Sequence, residues 1–69
     1  MDIRSLRTRA GMTQRELGEA CGLGQSTIGN YEAGIRAPSL EVAQKIIEVI
    51  QSRGVDVSIQ DLFTTADAA

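Results

Sequence analysis

The side chains in this chain best suited to chemistry carry no charge. From Gly22 to Tyr31 the sequence reads GLGQSTIGNY, rich in amides and hydroxyls, with glycines at 22, 24 and 29. Gln, Asn, Ser and Thr side chains both donate and accept hydrogen bonds. A surface built from them can recognise the polar edge of a ligand without breaking a bond in it. Groups for bond-breaking are scarce elsewhere. Histidine is absent, which removes the commonest general base and metal ligand. Cys21 is the only cysteine, so no internal disulfide forms, and no Cys/His cluster has metal-ligand spacing. Paired carboxylates for acid/base work need a cleft, and a 69-residue chain is too short for a roomy one. The expectation is a non-enzymatic binding domain with no cofactor and no metal.

Helices must position these groups, because the apolar residues recur at helical spacing. Asp2 can N-cap a first helix in which Ile3, Leu6 and Ala10 share a face, and Gly11 is its natural stop. Thr13 begins TQRE, a capping box in which the Thr13 hydroxyl accepts from the Glu16 amide while the Glu16 side chain reaches back. Leu17, Ala20 and Cys21 predict the buried stripe of a second helix, with Gly22 where a left-handed C-cap is wanted. A third helix is expected from about Gln25 to Glu32, with Ile28 and Tyr31 at i, i+3 and a stop at Gly34. Pro38 and Ser39 open a fourth, whose Leu40, Val42, Ala43, Ile46, Ile47, Val49 and Ile50 form the broad apolar face of a central helix ended by Gly54. A short fifth helix, about Ser58 to Phe63, offers Ile59, Leu62 and Phe63. Val55, Val57 and Ile59 also alternate with period 2, a strand signal. Ser58 as a cap favours the helix over the strand. One domain is thus expected over residues 1–63, with 64–69 as a flexible tail.

The two helices between Gln14 and Ala33 belong together. Joined through Gly22–Leu23–Gly24, they would turn Leu17, Cys21, Leu23, Ile28 and Tyr31 toward one core, and Gly18 lies where the second helix must approach the third closely. Two helices across so short a turn form a helix-turn-helix, whose second helix can enter a major groove. The charge balance is unusual for that role. Seven Lys and Arg against nine Asp and Glu leave a net charge of −2, whereas a nucleic-acid binder is expected to show a basic face. The distribution supplies part of one. Residues 1–36 hold five arginines against four acids, a net of +1, and residues 37–69 hold two cations against five acids, a net of −3.

The string MTQRELGEACGLGQSTIGNYEAGIRAPSLEVAQKI resembles the Cro/C1-type (XRE-like) helix-turn-helix family of phage repressors, Cro proteins, restriction controller proteins and antitoxins. The shared features are the TQ-x-E-L opening, the small residue and Gly of the turn, S-T-I in the third helix, then Y-E-x-G and P-S-L. They cover roughly residues 3 to 50, and VSIQDLF resembles the family's fifth helix. The resemblance implies an all-α, compact five-helix lambda-repressor-like domain. It also implies a transcriptional regulator, repressor in type and of phage or mobile-element origin, that binds a pseudo-palindromic DNA operator as a dimer.

By the same analogy Gln25, opening the third helix, is the leading base reader, since Gln can bond adenine N6 and N7 together. Ser26 and Asn30 join it on that face, and Gly29 would let backbone and groove come close. Gln14 and Thr27 would touch phosphates, and Arg15 and Arg36 would add phosphate charge without sequence selection. Arg7 and Glu32 resemble a structural ion pair of the family. Val57, Ile59, Leu62 and Phe63 are the expected dimer surface, some of them also closing the subunit core. Three features depart from the pattern: the longer connection between Ile50 and Ser58, Gly29 within a helix, and the long basic arm of some members, which is not expected because the first helix should start almost at Met1.

Plainer roles stand beside these. Cys21 fits a core slot better than a redox site, and Tyr31 fits the core. Arg4 and Arg9 divide evenly between wet surface and phosphate contact, while Asp56, Asp61 and Asp67 read as solubility charges. In another functional class, the acidic second half and the apolar residues near Val55–Phe63 would serve a protein partner, as in antitoxins, with autoregulatory DNA binding. No apolar run approaches a membrane span. A cytoplasmic protein, associated with the nucleoid when bound to DNA, is the expectation.

Overall fold

A computed structural model describes residues 3–58, which form four helices and no strand: α1 (Ile3–Arg9), α2 (Gln14–Cys21), α3 (Gln25–Glu32) and α4 (Leu40–Ser52). Each helix boundary has a local cause. Thr13 sits in extended backbone before α2, and its hydroxyl accepts from the Glu16 amide at 3.0 Å. Its own N–H donates to Glu16 Oε1 at 2.8 Å, which completes the capping box. That backbone donor holds the Glu16 carboxyl below its usual range. Ser39 caps α4 by accepting from Val42 N–H at 3.2 Å. At the other end, α1, α2 and α3 stop alike. A glycine at positive φ donates to the carbonyl three residues back, and the next N–H reaches five back: Gly22 to Glu19 and Leu23 to Gly18, for example. That pair of bonds satisfies carbonyls a helix end would leave open.

The core lies where the four helices meet. Leu6, Leu17, Ile28, Ile46 and Ile50 are completely buried, one or two from each helix. Ile3, Ala10, Met12, Ala43, Ile47, Val55 and Val57 extend that core, and Cys21, Leu23, Tyr31, Val42 and Val49 lie half-buried against its edge. Helix α2 packs chiefly on α3 and next on α4, while α1 lies on α3. The expected shared core of the two middle helices is therefore present.

Three expectations need correction. Ala20 is exposed, not part of the buried stripe, so Leu17 and Gly18 form the buried face of α2, with Cys21 at its margin. Leu40 is 61% exposed. It is in phase with Ala43 and Ile47, but as the first residue of α4 its side chain leans toward the N-terminus and past the core. Residues 55–58 are neither strand nor helix, although Val55 and Val57 do point inward on either side of exposed Asp56. Gln51 Nε2 pins this segment by donating to the Val57 carbonyl at 2.6 Å. Ile59, Leu62, Phe63 and nearly all of the expected fifth helix lie outside the described residues, as does the Asp2 cap.

Gly18 has a measurable reason to lack a side chain. A Cβ there would come within 2.9 Å of the Leu23 carbonyl oxygen and 3.1 Å of that of Gly24. The close approach is thus to the backbone of the turn itself, rather than to α3.

Candidate nucleic-acid interface

The outer side of α3 starts from a glycine. Gly24 occupies the N-cap in extended backbone and offers no side chain to the first amides of the helix. Gln25 and Ser26 follow, both exposed, with Thr27 and Asn30 half-buried and Ile28 facing inward. Among the described residues no hydrogen bond engages the side chains of Gln25, Ser26, Thr27 or Asn30. The expected readers Gln25, Ser26 and Asn30 are therefore on one helix at i, i+1 and i+5, with Asn30 the more recessed. The Asn30 backbone carbonyl accepts from both Ile35 and Arg36 N–H, at 3.0 and 3.3 Å, which fixes the chain leaving α3. That exit carries Arg36 and Ile35 into solvent, Ile35 being 72% exposed.

Behind this face lies a polar network. Arg7 Nε donates to Glu32 Oε2 at 2.6 Å and Nη2 donates to Oε1 at 3.3 Å, a two-pronged geometry. Arg7 Nη1 also donates to the Met12 carbonyl at 2.9 Å. The side chains are only 14% and 6% exposed, so this ion pair is largely screened from solvent. The structure thus contains the expected Arg7–Glu32 pair and adds a third member. Gln14 Nε2 donates to Glu32 Oε1 at 3.0 Å. Burial alone would raise the Glu32 carboxyl; the hydrogen bonds from Arg7 and Gln14 and the charges of Arg7 and Arg4 outweigh it and hold the group below its usual range. The Arg7–Glu32–Gln14 network thereby joins α1, the start of α2 and the end of α3, and through Arg7 the α1–α2 turn.

The phosphate candidates differ in what they already touch. Gln14 is half-buried, with one amide hydrogen committed to Glu32. Arg15 is exposed and lies 3.4 Å from Glu19, a solvent-washed i, i+4 pair of little energetic weight. Arg36 is exposed in the loop after α3, and Thr27 is half-buried near the start of that helix. Val57, expected at a dimer surface, is 4% exposed within the subunit core. Burial raises the Cys21 thiol, in keeping with its place beside the core. Sequence inspection did not bring Gln14 to Glu32. Their separation of 18 residues has no local periodicity, and only the packing of α2 on α3 brings them together. No helix among the described residues is long and apolar enough to cross a membrane.

Comparison with known proteins adds an independent line. A family model described as Helix-turn-helix matches residues 3–57. The chain is similar to an uncharacterized HTH-type transcriptional regulator of Archaeoglobus fulgidus, with 42% identity over 65 residues covering 94% of this chain and 86% of the relative. It is similar to the uncharacterized HTH-type transcriptional regulator YgzD of Bacillus subtilis, with 36% identity over 55 residues, 80% of this chain and 83% of the relative. A further Archaeoglobus fulgidus protein of the same description is 37% identical over 59 residues, 86% of this chain and 83% of its own. No solved structure matches significantly.

Proposed function

Since the chain belongs to the Cro/C1-type helix-turn-helix family, a family of DNA-binding transcriptional regulators, we propose that it is a sequence-specific repressor holding a pseudo-palindromic operator as a homodimer. The observation that carries this reading is the outer face of α3, where Gln25 and Ser26 stand exposed and uncharged on a helix whose first amides have no side-chain cap. Phosphates would repel acidic groups there, and base edges reward amides and hydroxyls. In this proposal Gln25 reads an adenine through N6 and N7, and Ser26 and Asn30 meet neighbouring edges. Thr27, Arg15, Arg36 and the uncommitted amide hydrogen of Gln14 take phosphates. Arg7 and Glu32 hold the scaffold beneath them. Pairing of subunits falls to the residues after 58, Ile59, Leu62 and Phe63, within a domain reaching residue 63. The protein would work in the cytoplasm on the nucleoid, as regulators of phage or mobile elements do.

A role as an antitoxin-like interaction module has less support, because Val55 and Val57, two of the apolar residues it would use, are buried in the subunit's own core. Selection of bound duplexes from a random pool tests the proposal. It should yield an inverted repeat, and a labelled copy should be retarded in a gel at low salt despite excess competitor. A shift that competitor abolishes, or a pool that never converges, would overturn it.

A further inference from the structure

We propose that Gln51 is a positioning residue for subunit pairing: by fastening residues 55–58 to the end of α4, it sets the half-site spacing that the protein accepts. This rests on the dimeric DNA-binding reading above and adds a residue that gives the dimer its geometry. Helix α4 ends unlike the three helices before it. In those, the bond from the glycine is followed by one from the next N–H to the carbonyl five back, and the two together fix the direction in which the chain leaves. Gly54, at a φ of 85°, donates to the Gln51 carbonyl at 2.9 Å, but among the described residues Val55 N–H makes no such bond to Ile50. Side chains hold the exit instead. Val55 and Val57 are 9% and 4% exposed in the core, and Gln51 Nε2 donates to the Val57 carbonyl at 2.6 Å.

The distances involved make such a fastening matter. The six residues 53–58, extended and free, could reach about 20 Å. One added base pair between half-sites moves them apart by only about 3.4 Å. A connection with a few ångströms of play would therefore accept neighbouring spacings. The anchors take up that play. Val55 and Val57 turn inward on either side of exposed Asp56, and the Gln51 amide ties the second of them to a helix whose Ile46 and Ile50 are completely buried. Helix α4 packs on α2 and α2 packs on α3, so the point where the chain leaves is fixed relative to the reading helix. Gln51 itself is exposed. Its amide is the part of this anchoring that can be removed without opening a cavity in the core.

The test uses the full chain and the inverted repeat selected from a random pool, with the spacer between half-sites lengthened or shortened by one and two base pairs. The wild type should prefer the selected spacing. Gln51→Leu and Gln51→Glu both remove the amide hydrogens at similar size, and each should reduce that preference by about three- to tenfold, the worth of one hydrogen bond. Affinities are compared as ratios between spacers, so a uniform change from the added charge of Glu cancels. Binding of Gln51→Leu to a duplex with a single half-site should match the wild type. Ser52→Ala removes a hydrogen bond of the same turn, from Ser52 Oγ to the Val49 carbonyl, which does not reach residues 55–58, and should leave the preference intact. Undiminished preference in both Gln51 variants, an equal loss at every spacing and on the single half-site, or the same broadening in Ser52→Ala would overturn the role of Gln51 while leaving dimeric binding in place. So would a wild type that holds the inverted repeat equally well at every spacing. A pool that returns one unrepeated half-site would remove the dimer and this role together.

Discussion

Gln14 and Gln25 are the same residue at the same place, the first position of a helix, in two chemical situations. Gln14 is half-buried and donates to Glu32; Gln25 is exposed and unengaged among the described residues. Nothing in the types of the two residues separates them, and only tertiary packing does. Their substitutions should therefore differ in kind. Gln25→Ala should lose about 1–3 kcal/mol of discrimination at one base position in each half-site, read as competition between the selected duplex and single-base variants, with unfolding unchanged. Equal losses on selected and random duplexes would take Gln25 out of base reading. The pair behind them acts on stability. Arg7→Met would leave the largely buried Glu32 carboxylate without its cation, and a loss of about 3 kcal/mol is expected in urea unfolding at neutral pH. The pH dependence has a definite sign. The folded Glu32 carboxyl sits below its unfolded value, so its stabilisation is complete above the unfolded pKa and is lost as pH falls through the folded one. Glu32→Gln should accordingly flatten the decline of stability between neutral and acid pH. An acid limb as steep as that of the wild type would place the titrating group elsewhere.

At the scale of elements, helix boundaries were legible because they depend on near neighbours. The Thr13–Glu16 box, the Ser39 cap and the glycine at the end of each helix occur where composition places them, since each is a contact within three to five residues. The depth to which a residue sinks was less legible. Leu40 and Ala20 have the right spacing but stand where no other helix among the described residues covers them, and Met12, which no periodicity singles out, is 4% exposed. The two glycines of the motif divide along the same line. Gly18 faces turn backbone at 2.9 Å, so Gly18→Val, with methyl groups that have nowhere to go, should destabilise by about 1–3 kcal/mol. At Gly29 an added Cβ makes only ordinary contact with the Gln14 amide, at 3.7 Å, and Ala gains helix propensity there. Gly29→Ala should stabilise by about 0.5–1 kcal/mol in the same urea experiment. If it also weakens operator binding, the missing side chain serves the groove; a gain in stability with unchanged affinity would show that the groove does not need it.

For the whole molecule, the question is how a chain of net charge −2 holds a polyanion. Among the described residues, five arginines on α1, α2 and the exit of α3 stand against Glu16, Glu19 and Glu32, while on α4 and the segment after it Lys45 and Arg53 stand against Glu41, Glu48 and Asp56, so the excess of positive charge lies on the first side. Segregation of that kind allows a local positive field on an acidic protein, and it makes affinity depend on few contacts. Arg15 and Arg36 are the exposed arginines assigned to phosphates, two for each subunit. A dimer loading two subunits would then neutralise about four phosphates and show a slope of log affinity against log salt of about −4, whereas a lone subunit would give about −2. Between 50 and 200 mM salt the first corresponds to a loss of about a hundredfold or somewhat more and the second to about tenfold. Two subunits should also place their α3 helices about 34 Å apart, one turn of DNA, so the half-sites of the selected duplex should lie about 10 base pairs apart or at a multiple of that. Slope and spacing report on the same assembly by independent physics, one counting charges and the other measuring geometry. A slope near −2 with a single unrepeated half-site would mean that one subunit binds alone, and the residues after 58 would then need a purpose other than pairing.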